Sequence, residues 1–312
     1  NDLAVMGARP LYLAASFILE EGFPLADLAR IVDSMAAAAR AAGVAVVTGD
    51  TKVVEQGKGD GVFITTTGIG ALPAGRDPGG AQARPGDVVL LSGRIGDHGM
   101  AIMAQRESLA FDAEIVSDSA PLNGLVEALY AAVPAAAIRV LRDPTRGGLA
   151  TTLNEIATQS GVGMTLEEAA IPVAPQVHAA CELLGLDPLY VANEGKLVVL
   201  CAPAHADAVL AALRAHPLGT EAARIGAATA DAQHFVQVRT ALGGRRNGPL
   251  QLITARYTAR AAIDLSFARR QQKRGAGCRG DRPRPRTRAY AQDAAMTIPS
   301  KLWPALLAGS LG

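Results

Sequence analysis

The stretch IRVLRDPTRGGLATTLNEIATQ, residues 138–159, decides the fold class. Its opening Ile-Arg-Val-Leu reads as a short strand. That strand delivers Arg-Asp-Pro-Thr-Arg-Gly-Gly (142–148) to the start of a helix over 149–159. Working outward, strands are expected over 88–92, 197–202, 225–230 and 235–238. Helices are expected over 97–109, 121–132, 177–184 and 203–216, the last with Pro203 at its first position. Nearer the start, 9–21 reads as a helix. Pro24 opens another, with Leu25, Leu28, Val32, Met35 and Ala39 at three- and four-residue spacing and Gly43 ending it. A short buried strand over 44–47 leads into Gly-Asp-Thr-Lys-Val-Val (49–54), and 61–70 is a Thr-rich strand. Residues 75–86, with Pro78 and Pro85, read as a loop and place a domain boundary there. Strands and helices alternate without a strict βαβ rhythm, so the expected class is α+β.

The 312 residues are 49% apolar but only 4% aromatic, a balance that suits a cytoplasmic α/β or α+β enzyme of one or two domains. No run approaches the ~18 apolar residues of a membrane span. The Asn-Asp opening carries no secretory signal and suggests a start inside a longer sequence. Cys181, Cys201 and Cys278 form neither a metal-ligand spacing nor an even disulfide set. Cys181 and Cys201 lie in apolar surroundings and read as core residues of a protein in a reducing compartment. Charge is unevenly spread. From Asn247 onward fall 12 of the 30 basic residues but only 3 of the 29 acidic ones, leaving 18 against 26 before it. The Arg-rich run 269–288 has no apolar periodicity and reads as a disordered tail. It lacks the interleaved aromatics of a nucleic-acid surface, so no nucleic-acid partner is expected.

Four segments carry polar chemistry. Asp50, Thr51 and Lys52 combine an acid that can hold Mg²⁺, a hydroxyl and a cation that can neutralise phosphate; a capped turn is the plain alternative. Gly147 and Gly148 permit close backbone approach, and the helix after them offers free N–H groups to an anion. Arg142 and Arg146 flank that turn and Asp143 can bind a metal, although an ordinary strand-to-helix turn looks the same. Glu194 and Lys196 sit in a polar interruption before a strand, where Glu194 is either a base or part of a surface turn. Asp97 reads as a helix cap, and His98 as a proton carrier or a structural residue. There is no Walker P-loop, GxGxxG after a strand or GxSxG, so any phosphate chemistry uses another scaffold.

Together the stretches NDLAVMGARPLYL, ILEEGFP, VTGDTKVVEQGKGDGVFI, SGRIGDHGMAIM, RDPTRGGLATTLNEIA, IPVAP, CELLGLDPLYVANEGKLV and AHPLGTEAARIG resemble, in order and over about 1–246, the HypE family of hydrogenase-maturation proteins. That family lies within the AIR-synthase-like (PurM-like) ATP-using enzymes. The resemblance implies a two-domain α+β fold: an ATP-binding, dimerising N-terminal domain (1–75), incomplete here, a C-terminal domain (85–246) and a non-homologous basic tail (247–312). It implies a homodimer, a HypF-like carbamoyltransferase partner, a HypC–HypD-like iron scaffold, and no membrane. The implied reaction is ATP-dependent dehydration of a cysteine S-carboxamide to a thiocyanate, source of the cyanide ligand of [NiFe]-hydrogenase. By position in the motifs, Asp2 and Asp50 are expected to hold Mg-ATP, Lys52 to steady phosphate or developing charge, and Glu194 to accept or orient a proton. Thr51, Asp143, Thr145, Arg146, Gly147 and Gly148 are expected to line the nucleotide site.

Two departures from the family pattern are expected to matter. The segment that normally precedes NDLA is absent, as is the terminal Pro-Arg-Ile-Cys whose thiol carries the substrate; Cys278 is no match for it. The change of composition near Asn247 reads as a shifted frame. The alternatives are a non-catalytic remnant that binds maturation partners, or another PurM-like enzyme such as selenophosphate synthetase, thiamine-monophosphate kinase or AIR synthase.

Overall fold

Two β-sheets organise the chain. The computed structural model describes residues 1–106, 114–240 and 244–247; the expected tail beyond Asn247 and the end of the 97–109 helix lie outside the described residues. The first sheet has three strands in the order β2-β1-β3: β1 (Arg9–Glu20), β2 (Ala45–Val54) and β3 (Val62–Ala71). β1 is the centre, parallel to β2 and antiparallel to β3.

The helix expected over 9–21 is therefore a strand. Leu11, Ala14, Ala15 and Ile18 do fall at helical spacing, but a central strand bonds its backbone to partners on both sides over its length. The sheet also uses the two-residue alternation of Ala15, Phe17 and Leu19, all buried, with Ser16 and Ile18 exposed. A second correction concerns β2. It is neither short nor buried, and Gly49–Val54 belongs to the strand instead of following it. The helix α2 (Leu25–Ala42) forms as expected and ends at Gly43, whose φ of 66° makes the left-handed cap. It lays Leu28, Ile31, Val32 and Met35 against Ala15, Phe17 and Leu19.

The second sheet has seven strands in the order β10-β9-β6-β8-β4-β7-β5. They are β4 (Val88–Leu91), β5 (Ile138–Arg142), β6 (Gly163–Glu167), β7 (Val198–Cys201), β8 (Ala223–Thr229), β9 (Val236–Arg239) and β10 (Arg245–Asn247). All pairings are antiparallel except β6 with β9. Such mixed pairing outside βαβ units is the expected α+β class. β6, absent from the sequence reading, lies between β8 and β9 with Met164 and Leu166 turned inward.

Both faces of this sheet are covered, which explains why VVLL and VVLC are unbroken apolar runs. Val89, Leu91, Val198 and Leu200 face one core with Leu149, Leu153 and Ile156 of α5 (Gly148–Ser160). Val88, Leu90, Val199 and Cys201 face the other, with Leu125 and Leu129 of α4 (Asn123–Ala132) and Val209 and Leu213 of α7 (Ala206–Ala215). Each such Leu, at 0% exposure, contributes about 1.5–3 kcal/mol by its burial. α3 (Asp97–Arg106) and α6 (Pro175–Leu184) share a smaller cluster around Met100, Val177 and Cys181. Cys181 and Cys201 are the buried core thiols that the sequence implies.

The long loop after β3 is pinned by Arg76. Its guanidinium makes two hydrogen bonds to the Glu127 carboxylate on α4, donates to the Gly7 carbonyl and stacks 4.1 Å from the Tyr130 ring centroid. Arg9 adds a third donor to Glu127 at 3.2 Å. Bonds from Arg76 hold the Glu127 carboxyl down at about 2, against an ordinary 4.5. A carboxylate lowered by folding stabilises the fold fully above its free value, and the contribution is lost as pH falls through the folded one. Glu127 is 35% exposed, so water screens part of it. Glu127→Gln should therefore remove acid sensitivity between about pH 4.5 and 2, read by following the urea midpoint across that range; an unchanged pH profile would show that the pair contributes nothing.

Candidate functional site

Three loops meet at Asn193, a side chain with 0% exposure. Its Oδ1 accepts the Gly96 N–H at 2.8 Å, and its Nδ2 donates to the carbonyls of Pro144 (2.9 Å) and Val191 (3.1 Å). Its own N–H donates to Pro144 O as well. A buried amide satisfied on every side fixes its neighbours in place. The turn before α3, the turn after β5 and the segment before β7 are thereby locked together.

The turn after β5 carries Asp143, Thr145, Arg146, Gly147 and Gly148. Gly147 and Gly148 have φ of 75° and 63°, which side-chain-bearing residues rarely adopt. A Cβ on Gly148 would stand 2.5 Å from Leu189 O, so the turn packs directly on that backbone. The first amides of α5 beyond the turn, Leu149 and Ala150, have no intrahelical acceptor by helix geometry. Arg146 is exposed beside them, while Asp143 and Thr145 are half-buried. Arg142, also flagged by the sequence, is taken by Glu155 of α5 at 2.7 Å.

Next to this turn, Glu194 is held through its main chain. Its N–H donates to Asp118 Oδ1 at 3.0 Å, and its carbonyl accepts from Asn1 Nδ2 at 2.8 Å. Asn1 also bonds Ala120 O and the Leu122 N–H, bringing Asp2, the first residue of α1 (Asp2–Val5), to the same neighbourhood. Lys196 Nζ lies 3.4 Å from Asp118 Oδ2. Burial raises the Asp97 carboxyl, against the pull of Lys196 and Arg94; Asp118 and Glu221 add to the rise. His98 Nδ1 lies 2.9 Å from Ser117 Oγ.

Asp50, Thr51 and Lys52 stand apart from these loops. They pair with Ser16, Phe17 and Ile18 of β1, which puts Asp50 and Lys52 on the sheet face that α2 leaves open. Asp50 Oδ1 accepts the Thr51 N–H at 2.8 Å. The structure thus brings together Asp2, the 143–148 turn and Glu194, and sets Asp50, Thr51 and Lys52 on the other sheet. Sequence reasoning passes over Asn193, Asn1 and Asp118. Asn193 has a signal, a polar residue between apolar Val191 and Leu197, but Asp118 has none: its partners are 76 or more positions away.

Two family models match, AIR synthase related protein N-terminal domain over 1–72 and C-terminal domain over 84–239. The carbamoyl dehydratase HypE of Cupriavidus necator is 73% identical over 246 residues, covering 79% of this chain and 70% of that protein. A crystal structure of a HypE–HypF complex superposes with a TM-score of 0.77 at 50% identity, covering 80% of each chain. A hydrogenase maturation protein HypE in complex with ATP gives 0.76 at 52% identity, covering 79% of this chain and 75% of that one.

Proposed function

The chain belongs to the carbamoyl dehydratase HypE family of AIR-synthase-related proteins, and on that premise we propose that it dehydrates a cysteine S-carboxamide with ATP during [NiFe]-hydrogenase maturation. In balance, R–S–C(=O)NH₂ and ATP give R–S–C≡N, ADP and phosphate. The amide oxygen bonds to the terminal phosphorus as its bond to the bridging oxygen breaks and ADP leaves, and the C–O bond then breaks as phosphate leaves. The nitrogen loses two protons, one to Glu194 and one to solvent. The observation that carries this reading is Glu194 itself. Its peptide is bonded on both sides, while its carboxylate has no hydrogen-bond or ion-pair partner among the described residues.

The Gly147–Gly148 turn, Arg146 and the first amides of α5 suit the triphosphate. Lys52, which has no ion pair among the described residues, would steady the transferring phosphoryl group; it stands on the other sheet from this turn, so in this reading a second copy of the chain completes the nucleotide site. Asp2 and Asp50, brought together where two copies of the chain meet, would hold Mg²⁺. An ion of this kind takes one or two carboxylates and completes its shell with phosphate oxygens and water. Asp50 keeps Oδ2 free for it. When bound, the ion would neutralise phosphate charge.

Neither described cysteine suits the carbamoyl carrier: burial pushes the Cys181 and Cys201 thiols up to about 11 and 12, and the thiolate is the nucleophile. The carrier is a thiol outside that core, and a reducing cytoplasm would keep it free. Among the described residues no helix is long and apolar enough to cross a membrane. A HypF-like carbamoyltransferase would load the thiol, and a HypC–HypD-like scaffold would receive the cyano group. The test offers an S-carbamoylated cysteine peptide and Mg-ATP to the protein and follows thiocyanate by infrared absorption alongside ADP. ATP binding without thiocyanate would favour the partner-binding alternative and overturn this one.

Dimerisation is part of the reading. Tyr12, Ile18, Phe63 and Ile69 share the open face of the first sheet and are 49%, 42%, 50% and 64% exposed. Tyr12 pairs with Ile69 and Ile18 with Phe63, with Ala14, Ser16, Thr65 and Thr67 between the two pairs; large apolar side chains grouped so on an open sheet face mark an interface, and a second copy of the same face is the occupant we infer. Phe63→Glu should shift sedimentation from dimer to monomer; a wild-type monomer at micromolar concentration would overturn it.

A further inference from the structure

Resting on the role given to Glu194, we propose that Asp118 is a positioning residue for the reaction, holding the Glu194 main chain so that its carboxylate meets the amide nitrogen. Three consecutive residues are clamped by this one. Asp118 Oδ1 accepts the Glu194 N–H at 3.0 Å, and its Oδ2 lies 3.4 Å from Lys196 Nζ. Between them the backbone of Gly195 presses on the Asp118 carbonyl so closely that a Cβ would come within 1.8 Å of that oxygen. Only glycine fits there, so segments 117–120 and 193–196 are built as one unit.

The burial is asymmetric in an informative way. The Asp118 side chain is 3% exposed and that of Lys196 14%. Oδ2 is buried with no hydrogen bond, because Lys196 approaches as an ion pair without hydrogen-bond geometry. A buried carboxylate so incompletely satisfied costs stability compared with an apolar residue of the same size. What it gains is orientation: one rigid carboxylate fixes both the peptide of Glu194 and the ammonium two residues on. The segment is itself braced, since Ser117 Oγ meets His98 Nδ1 at 2.9 Å and accepts the Ser119 N–H at 3.2 Å. Asn1 closes the other side by bonding both Ala120 O and Glu194 O. Asp118 touches no reacting atom, so its effect must pass through Glu194.

The experiment compares Asp118→Ala and Asp118→Asn in the thiocyanate assay, with Glu194→Gln beside them. Asp118→Ala loses the acceptor for the Glu194 N–H and should lower kcat about tenfold or more, since misplacing a catalytic group by ~1 Å costs up to ~100-fold. KM for ATP should stay within about twofold. Asp118→Asn keeps an oxygen for that N–H and should restore most of kcat. A merely structural role predicts equal losses in both variants, tracking the fraction folded by circular dichroism. Wild-type kcat in both variants, or a loss that follows unfolding alone, overturns the proposal. If Glu194→Gln turns over normally, the reading of Glu194 has failed first; if Glu194→Gln is dead while both Asp118 variants behave as wild type, only the positioning role falls.

Discussion

Glu194→Gln is expected to lower thiocyanate formation by about 100-fold or more, the usual contribution of a positioned general base. Glutamine keeps the size and the bonds of the Glu194 peptide to Asp118 and Asn1, which use main-chain atoms only. The loss would therefore report on the proton acceptor and not on the fold. Lys52→Ala should be as severe for a different reason. Lys52 is exposed on β2, and its removal takes away a charge that matters most as negative charge builds on the transferring oxygen atoms. ATP binding should survive Glu194→Gln and weaken in Lys52→Ala. Turnover within about threefold of wild type in either variant would sink the role assigned to that residue.

Asn193→Ala is expected to be the most destabilising single change around the site. It strips the Gly96 N–H and the Val191 carbonyl of their side-chain partner in a place with no water access, while the Pro144 carbonyl keeps the main-chain N–H of residue 193. Each buried polar group left unmade costs about 1–3 kcal/mol, so a loss of about 3 kcal/mol or more follows. In a protein of this size that lowers Tm by about 6–12 °C, measurable by calorimetry. Asn193→Asp should fare no better, because a carboxylate oxygen would face two carbonyls where an NH₂ now donates. A Tm within about 2 °C of wild type for Asn193→Ala would show that the loops are held by packing alone.

Much of the second sheet was legible in the sequence because its strands are short apolar runs between glycine and proline punctuation. The strand at 138–142, the glycine turn and the helix after it stand where residues 138–159 imply. The first sheet was less legible. Arg9–Glu20 has apolar residues that satisfy helical and strand spacing at once, and only pairing with β2 and β3 decides between them. The same pairing draws Gly49–Val54 into β2, which no local signal requires. Of the candidate site, the sequence singles out the residues beside glycines or in polar interruptions: Asp143 to Gly148, and Glu194. The residues that hold them could not. Asp118 acquires its meaning from Glu194, 76 positions away, and Asn1 from Ala120 and Glu194. Sequence spacing carries no trace of contacts closed by the tertiary fold.

The junction at Asn193 has a further consequence. The side chains grouped around it, Glu194, Lys196, Asp97 and Asp118, are all ionisable, yet the joint itself is an uncharged amide bonded to backbone. That joint carries no charge of its own, so acid finds nothing there to titrate and salt nothing to screen.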